Sequence, residues 1–199
     1  MDSIRNSVVS GWCVVSFDEH LREGLLGEGL ITRWLNGRGW DVLPAYEIEI
    51  QTGKGPRLFS AKLGKLIAPD LLVFKDSSFY WVEAKTKSAF TWHRITETFQ
   101  TGIDRRHWLD YLAVGETTGL PVWLLFLHRP GSSAKDTPAG MESPSGLYGQ
   151  VIDVLKETID HEHANHGPSG MVYWQENTLK KICEYEQMMC VAAIRECGG

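Results

Sequence analysis

The sequence predicts a mixed α/β fold: a central mixed β-sheet with helices on its faces. Three observations carry that reading. A helix with a start signal and an apolar stripe lies near the N-terminus. Two β-type runs around a short polar turn occupy residues 71–84. A continuous apolar run, LPVWLLFLH, spans Leu120–His128 and is the best candidate for a buried central strand. A chain that mixes helices and strands in this order buries both by layering helices on a sheet.

The elements follow in order. Ser16 and Glu19 form a capping box for a helix ending near Asn36, before Gly37-Arg38-Gly39. Leu30, Ile31, Trp34 and Leu35 supply its apolar stripe, while Gly24, Gly27 and Gly29 weaken its first half. WDVLPAYEIEI at Trp40–Ile50 reads as a strand whose Pro suggests an edge or a bend, with Glu47 and Glu49 on an exposed face. Residues 51–65 read as a loop or hairpin. Leu71–Phe74 and Phe79–Ala84 then form a β-hairpin around Lys75-Asp76-Ser77-Ser78. After the polar, aromatic-bearing stretch SAFTWHRITETFQTG, Asp104 caps a helix to about Val114. Beyond the run at 120–128, residues 130–146 form a Pro/Gly/Ser-rich loop. Leu147–Asp160 reads as a helix, His161–Gly170 as a loop, Met171–Trp174 as a short strand and Asn177–Arg195 as a closing helix. Trp34, Trp81 and Trp123 are assigned to the core.

The chain has 199 residues, 43% hydrophobic and 23% charged, enough for one domain with decoration. Residues 1–130 are expected to form the core domain, and 131–199 a loop and α-rich C-terminal extension packed on it. No apolar run approaches the roughly 18 residues of a membrane helix. MDSIRNSVVS lacks a basic region followed by a long apolar stretch, so no secretory signal and no membrane association are expected. Of the four cysteines, 183, 190 and 197 recur every seven residues, which predicts one side of a helix. Reduced, mostly buried cysteines fit a cytoplasmic protein.

The chemistry concentrates in APDLLVFKDSSFYWVEAK, Ala68–Lys85. Side chains alternate along a strand, so Trp81, Glu83 and Lys85 share one face. The start of the first hairpin strand lies beside the end of the second, which brings Asp70 close to Glu83 and Lys85. Two carboxylates forced together repel, and a divalent cation relieves both the repulsion and the cost of burial. Hard oxygen ligands suit Mg²⁺. A neighbouring Lys can orient an attacking water or stabilise developing negative charge. The net charge is −5, yet residues 54–106 hold ten Lys/Arg against five Asp/Glu. A basic block around the hairpin suits a polyanionic partner.

Pro69-Asp70 followed by Glu83-Ala84-Lys85, within this element order, resembles the PD-(D/E)xK nuclease superfamily. The resemblance covers roughly residues 20–130 and implies a restriction-endonuclease-like αβββαβ core. It also implies metal-dependent hydrolysis of nucleic-acid phosphodiesters. On that resemblance Asp70, Glu83 and the Ala84 carbonyl hold Mg²⁺ or Mn²⁺. Glu28 on the first helix joins them directly or through water, and Lys85 positions the attacking water. The Gln-x-x-x-Tyr pattern of some exonuclease members is missing, because Gln100 and Tyr111 are too far apart. Gln100, Arg105, Arg106 and His107 lie at or near the next helix start, where phosphate is attracted, and at least one of them is expected to touch substrate. Trp92 and His93 are candidates to stack on bases of an unpaired strand, with core packing an equal alternative for Trp92. His161-Glu162-His163 with His166 lacks the paired spacing of structural zinc sites and reads as exposed loop histidines.

The resulting expectation is an Mg²⁺- or Mn²⁺-dependent deoxyribonuclease in a repair, recombination, phage or defence setting. DNA is the expected partner, with a homodimer or a protein partner compatible with the acidic C-terminal part. Two other classes fit the same residues: a non-catalytic member that binds nucleic acid or protein, and an RNA-processing nuclease.

Overall fold

A computed structural model describes residues 17–45, 56–131 and 137–194, with side chains from 26 to 190. Ser16, the Glu19 side chain, Glu47, Glu49, Cys13 and Cys197 lie outside what is described. Helix α1 spans Phe17–Gly37, close to the expected bounds. Ile31, Trp34 and Leu35 bury its stripe against the sheet. The expected weakness at its glycines is offset by packing. A Cβ on Gly27 would overlap the Thr86 hydroxyl and lie 2.8 Å from the Thr86 Cβ, so glycine lets α1 lie directly on the sheet.

The central sheet has six strands in the order β1-β4-β5-β8-β9-β12. They are β1 (Asp41–Pro44), β4 (Leu71–Lys75), β5 (Ser78–Lys87), β8 (Val122–His128), β9 (Gly146–Val151) and β12 (Lys180–Cys183). The β4–β5 hairpin forms as expected, antiparallel, with Leu71 opposite Val82 and Lys75 opposite Ser78. Asp76 sits at φ 55° in the turn, a conformation Asp tolerates. β8 pairs parallel to β5 in the middle of the sheet, as its unbroken apolar run requires. The sheet is therefore mixed, with helices on its faces.

Two small sheets flank it. β2 (Arg57–Ser60) and β3 (Gly64–Ile67) form an isolated hairpin. β6 (Thr91–His93), β7 (Thr98–Asp104), β10 (His161–His163) and β11 (Met171–Gln175) form a four-stranded sheet in the order β10-β11-β7-β6. Helix α2 (Arg105–Thr118) starts on the predicted cap: Asp104 Oδ1 accepts the Arg106 N–H at 2.8 Å. It runs past Val114 to Gly119, whose φ of 69° closes it and whose N–H bonds the Gly115 carbonyl.

The apolar core divides between the two faces of the central sheet. Ile31, Leu71, Val73, Val82, Leu125, Leu127 and Met188 pack on the α1 side. Ile103, Trp108, Leu124, Phe126, Tyr148, Leu155 and Trp174 pack on the α2 side. Trp34 is buried as expected, Trp81 and Trp123 are half-buried, and Trp108 and Trp174 are buried as well.

The C-terminal part departs from its α-rich expectation. Residues 147–151, expected to open a helix, form strand β9, and only α3 (Ile152–Glu157) remains helical. Pairing with β8 decides this. A Cβ on Gly149 would lie 2.5 Å from Leu125 Cδ2 and 3.0 Å from the Leu124 carbonyl oxygen, so the strand lies tight against β8. The expected helix over 177–195 becomes a 3₁₀ turn (Glu176–Thr178), β12 and a shorter α4 (Tyr185–Ile194). Cys183 is therefore buried in a strand and Cys190 is exposed on α4, so the seven-residue spacing does not mark one helix side. The polar stretch 88–102 carries β6 and β7, and the expected loop 161–170 opens with β10, because β11 pairs with both β7 and β10 and β7 pairs in turn with β6. β9 and β12 complete the central sheet itself. Among the described residues, no helix is long and apolar enough to cross a membrane.

Candidate active site

Asp70 immediately precedes β4 and Glu83 lies in the middle of β5. The hairpin register that pairs Leu71 with Val82 sets them side by side. Backbone groups lock both carboxylates. The Asp70 N–H donates to Glu83 Oε2 at 3.3 Å, and the Ala84 N–H donates to Asp70 Oδ2 at 3.1 Å. Glu83 is fully buried and Asp70 nearly so. Lys85, two residues on and so on the same strand face, forms an ion pair with Glu83 Oε1. The cluster expected from the sequence is therefore assembled.

Its electrostatics show an excess of buried negative charge. Burial and then the Glu83 carboxylate push the Asp70 pKa well above the usual carboxylate range, against the pull of Lys85. Burial would lower the Lys85 ammonium, but Glu83 and Asp70 overcome it and hold it above its ordinary value. Glu28 feels the same cluster: burial raises it to about 7, with Lys85 opposing and Glu83 adding to the rise. Gly27, the residue before it, lies against Thr86 of β5.

Helix α2 adds two residues that the sequence reading left unassigned or placed elsewhere. Tyr111 is buried, and its hydroxyl hydrogen-bonds Glu83. Burial and then the Glu83 and Asp70 charges hold the phenol well above its ordinary pKa. His107, one turn earlier on the same helix side, is half-buried with its ring centroid 6.1 Å from that of Tyr111. Burial and the Lys85 charge lower the His107 pKa. The spacing of four between His107 and Tyr111, which sets both on one side of a helix, was the signal in the sequence. Lys87 is the second omission. It continues the Glu83–Lys85 strand face, and burial with Lys85 beside it lowers its pKa to about 8.

The remaining expected residues sit elsewhere. Gln100 is buried in β7 rather than at the helix start, and its amide donates to Asp160 at 2.7 Å. Arg105 and Arg106 are exposed on the first turn of α2, and Arg105 pairs with Glu162 at 2.7 Å. Trp92 packs edge-on against Phe99, centroids 5.0 Å apart. His93 stacks on His161 at 4.8 Å.

The carboxylate pair fits a hard divalent cation. Two buried carboxylates lie beside one ammonium, burial and then the Glu83 charge raise Asp70, and the donors are oxygens.

No protein-family model and no curated protein matches this sequence. Among solved structures, Hjc, a Holliday junction resolvase from Archaeoglobus fulgidus, is similar over 78% of this chain and 90% of its own. The identity is 8% and the TM-score 0.45. D212, a nuclease from a fusselovirus, is similar over 97% of this chain and all of its own, at 11% identity and a TM-score of 0.38.

Proposed function

We propose that this protein is a metal-dependent nuclease that hydrolyses DNA phosphodiester bonds. One observation carries the reading: the buried Asp70–Glu83 pair with Lys85 beside it, locked by backbone N–H groups at one end of a hairpin. A structural ion pair has no need of a second buried carboxylate whose pKa is driven up by the first.

Asp70, Glu83 and the Ala84 carbonyl are the residues to hold Mg²⁺ or Mn²⁺, with Glu28 ionising to complete the set. When bound, the cation supplies Lewis-acid charge to the phosphoryl oxygens. Lys85 keeps its proton at neutral pH, so its role is to orient the attacking water and to stabilise charge developing on the phosphate. Tyr111 fixes the Glu83 carboxylate through its hydroxyl. Arg105 and Arg106, exposed at the N-terminal end of α2, suit contact with backbone phosphates, and the basic block 54–106 supports a polyanionic substrate.

The test is cleavage of supercoiled, linear and single-stranded DNA by the purified protein with Mg²⁺, Mn²⁺ or EDTA, beside Asp70→Ala and Lys85→Ala. Metal-dependent cutting lost in both variants is expected. Cutting that survives both changes places the chemistry elsewhere. A wild type that binds DNA and does not cut it favours a non-catalytic role.

A further inference from the structure

The second sheet carries a side-chain cluster outside the active site. His93 lies on β6 and His161 on β10, the two edge strands of the sheet β10-β11-β7-β6. Their rings nevertheless meet across its face, centroids 4.8 Å apart and planes 21° from parallel. Tyr173 of β11 supports His161 from its other side, stacked at 4.8 Å. Asp160 joins them, and one ligand atom from each of His93, Asp160 and His161 lies within 4.8 Å of the other two.

We propose that His93, Asp160 and His161 form a second metal site, for Zn²⁺ or a similar transition metal, that clasps the two edges of this sheet. Two imidazoles and one carboxylate are borderline donors, suited to such ions rather than to Mg²⁺. The carboxylate is held as a ligand is held. Asp160 Oδ2 accepts from Gln100 Nε2 at 2.7 Å, and Oδ1 accepts from Gln175 Nε2 at 2.5 Å. Gln100 is 2% exposed, a buried amide whose side-chain donor is directed at this carboxylate. That is the outer layer of hydrogen bonds which orients metal ligands.

The same Oδ2 lies 2.7 Å from His161 Nδ1, a hydrogen bond in which the imidazole N–H can donate. In that tautomer a cation takes the place of the proton, which moves to Nε2 of the same ring. His93 turns Nδ1 toward Thr96 Oγ1 at 2.8 Å and keeps its other ring nitrogen for the metal. His161 is 29% exposed, which leaves a fourth position for water. The site ties the turn after β6 to the segment before β11. It does not depend on the nuclease reading.

The experiment uses the full chain, stripped with EDTA and desalted, titrated with Zn²⁺ alone by calorimetry and with Co²⁺ alone by absorption. One ion per chain is expected in Asp70→Ala, and the wild type binds the same ion beside any that Asp70 and Glu83 hold. In the Asp70→Ala background, His93→Ala/His161→Ala loses the binding and the cobalt bands, while Gln175→Ala weakens binding by about 10–100-fold. Zn²⁺ should shift the ring nitrogens of His93 and His161 in ¹H–¹⁵N spectra of the wild type and reverse the His161 tautomer. That measurement decides the matter even if the double variant does not fold. Unmoved ring nitrogens overturn the proposal, as does undiminished binding by a folded double variant, or binding lost in Asp70→Ala.

Discussion

Gly27 of α1 and Thr86 of β5 touch so closely that no other residue fits at position 27. A Cβ there would overlap the Thr86 hydroxyl and approach the Thr86 Cβ to 2.8 Å. The contact joins the helix bearing Glu28 to the strand bearing Glu83 and Lys85. Helix propensity alone favours Ala over Gly by about 1 kcal/mol. Overpacking costs about 1–3 kcal/mol and should win. Gly27→Ala is expected to lower the melting temperature and to reduce cleavage further than its stability loss explains, because Glu28 moves with the helix. A higher melting temperature in thermal unfolding would show that α1 is not seated on Thr86.

Asp70 and Glu83 are buried side by side, and the Glu83 charge adds to the cost of ionising Asp70. Asp70→Asn removes one ionisable group from this nearly buried pair and keeps the shape. The metal-free variant is expected to melt at or above the wild-type temperature, with cleavage lost. Mg²⁺ should stabilise the wild type by mass action and leave the variant unmoved. Differential scanning calorimetry with and without Mg²⁺ checks both statements. Equal stabilisation of the two proteins would remove Asp70 from the metal site.

Glu28 and His128 make opposite contributions to acid stability. The Glu28 pKa rises from 4.5 to about 7 on folding through burial. Its favourable term is present below 4.5 and is lost as pH rises through 7, because only the unfolded chain ionises in between. Glu28→Gln should therefore remove a decline in metal-free stability between pH 4.5 and 7.

His128 is fully buried, stacked on Phe90 at 3.6 Å between ring centroids, and burial with Lys87 nearby lowers its pKa from 6.5 to about 3. The unfolded chain binds the proton first as pH falls below 6.5. Stability therefore drops toward pH 3, by up to about 1.4 kcal/mol per pH unit from this one group. Denaturant titrations of His128→Phe should show a shallower acid slope than the wild type. An unchanged slope would mean that His128 is protonated in the folded protein.

The Tyr111 hydroxyl holds Glu83, and that bond is worth about 0.5–1.5 kcal/mol by the usual range. Tyr111→Phe should reduce the cleavage rate by roughly 2–10-fold if the bond orients the carboxylate in the transition state. The fold should remain intact, since the ring stays. A rate equal to wild type would leave Tyr111 a packing residue only.

Much of the site was legible in the chain because it is local. Asp70, Glu83 and Lys85 lie on one hairpin, and strand alternation with a tight turn suffices to bring them together. The run at 120–128 announced a central strand by its apolarity alone, and Asp104 announced α2 by its side chain. Residues 147–151 could not be read this way. LYGQV is short and ambiguous, and only β8 beside it, pressed close at Gly149, makes it a strand. The same holds for Lys180–Cys183, whose ladder comes from a partner distant in sequence. Gly27 looked like a helix weakness until Thr86 was seen beneath it. Tyr111 gained its role only when α2 was laid over β5. His93 and His161 belong to segments with no sequence pattern in common, and the curvature of one small sheet brings their rings together. Near-neighbour geometry is set by bond lengths and turn types, which the sequence carries directly. Contacts between distant segments depend on which apolar faces bury one another, and that is decided only when the whole core packs.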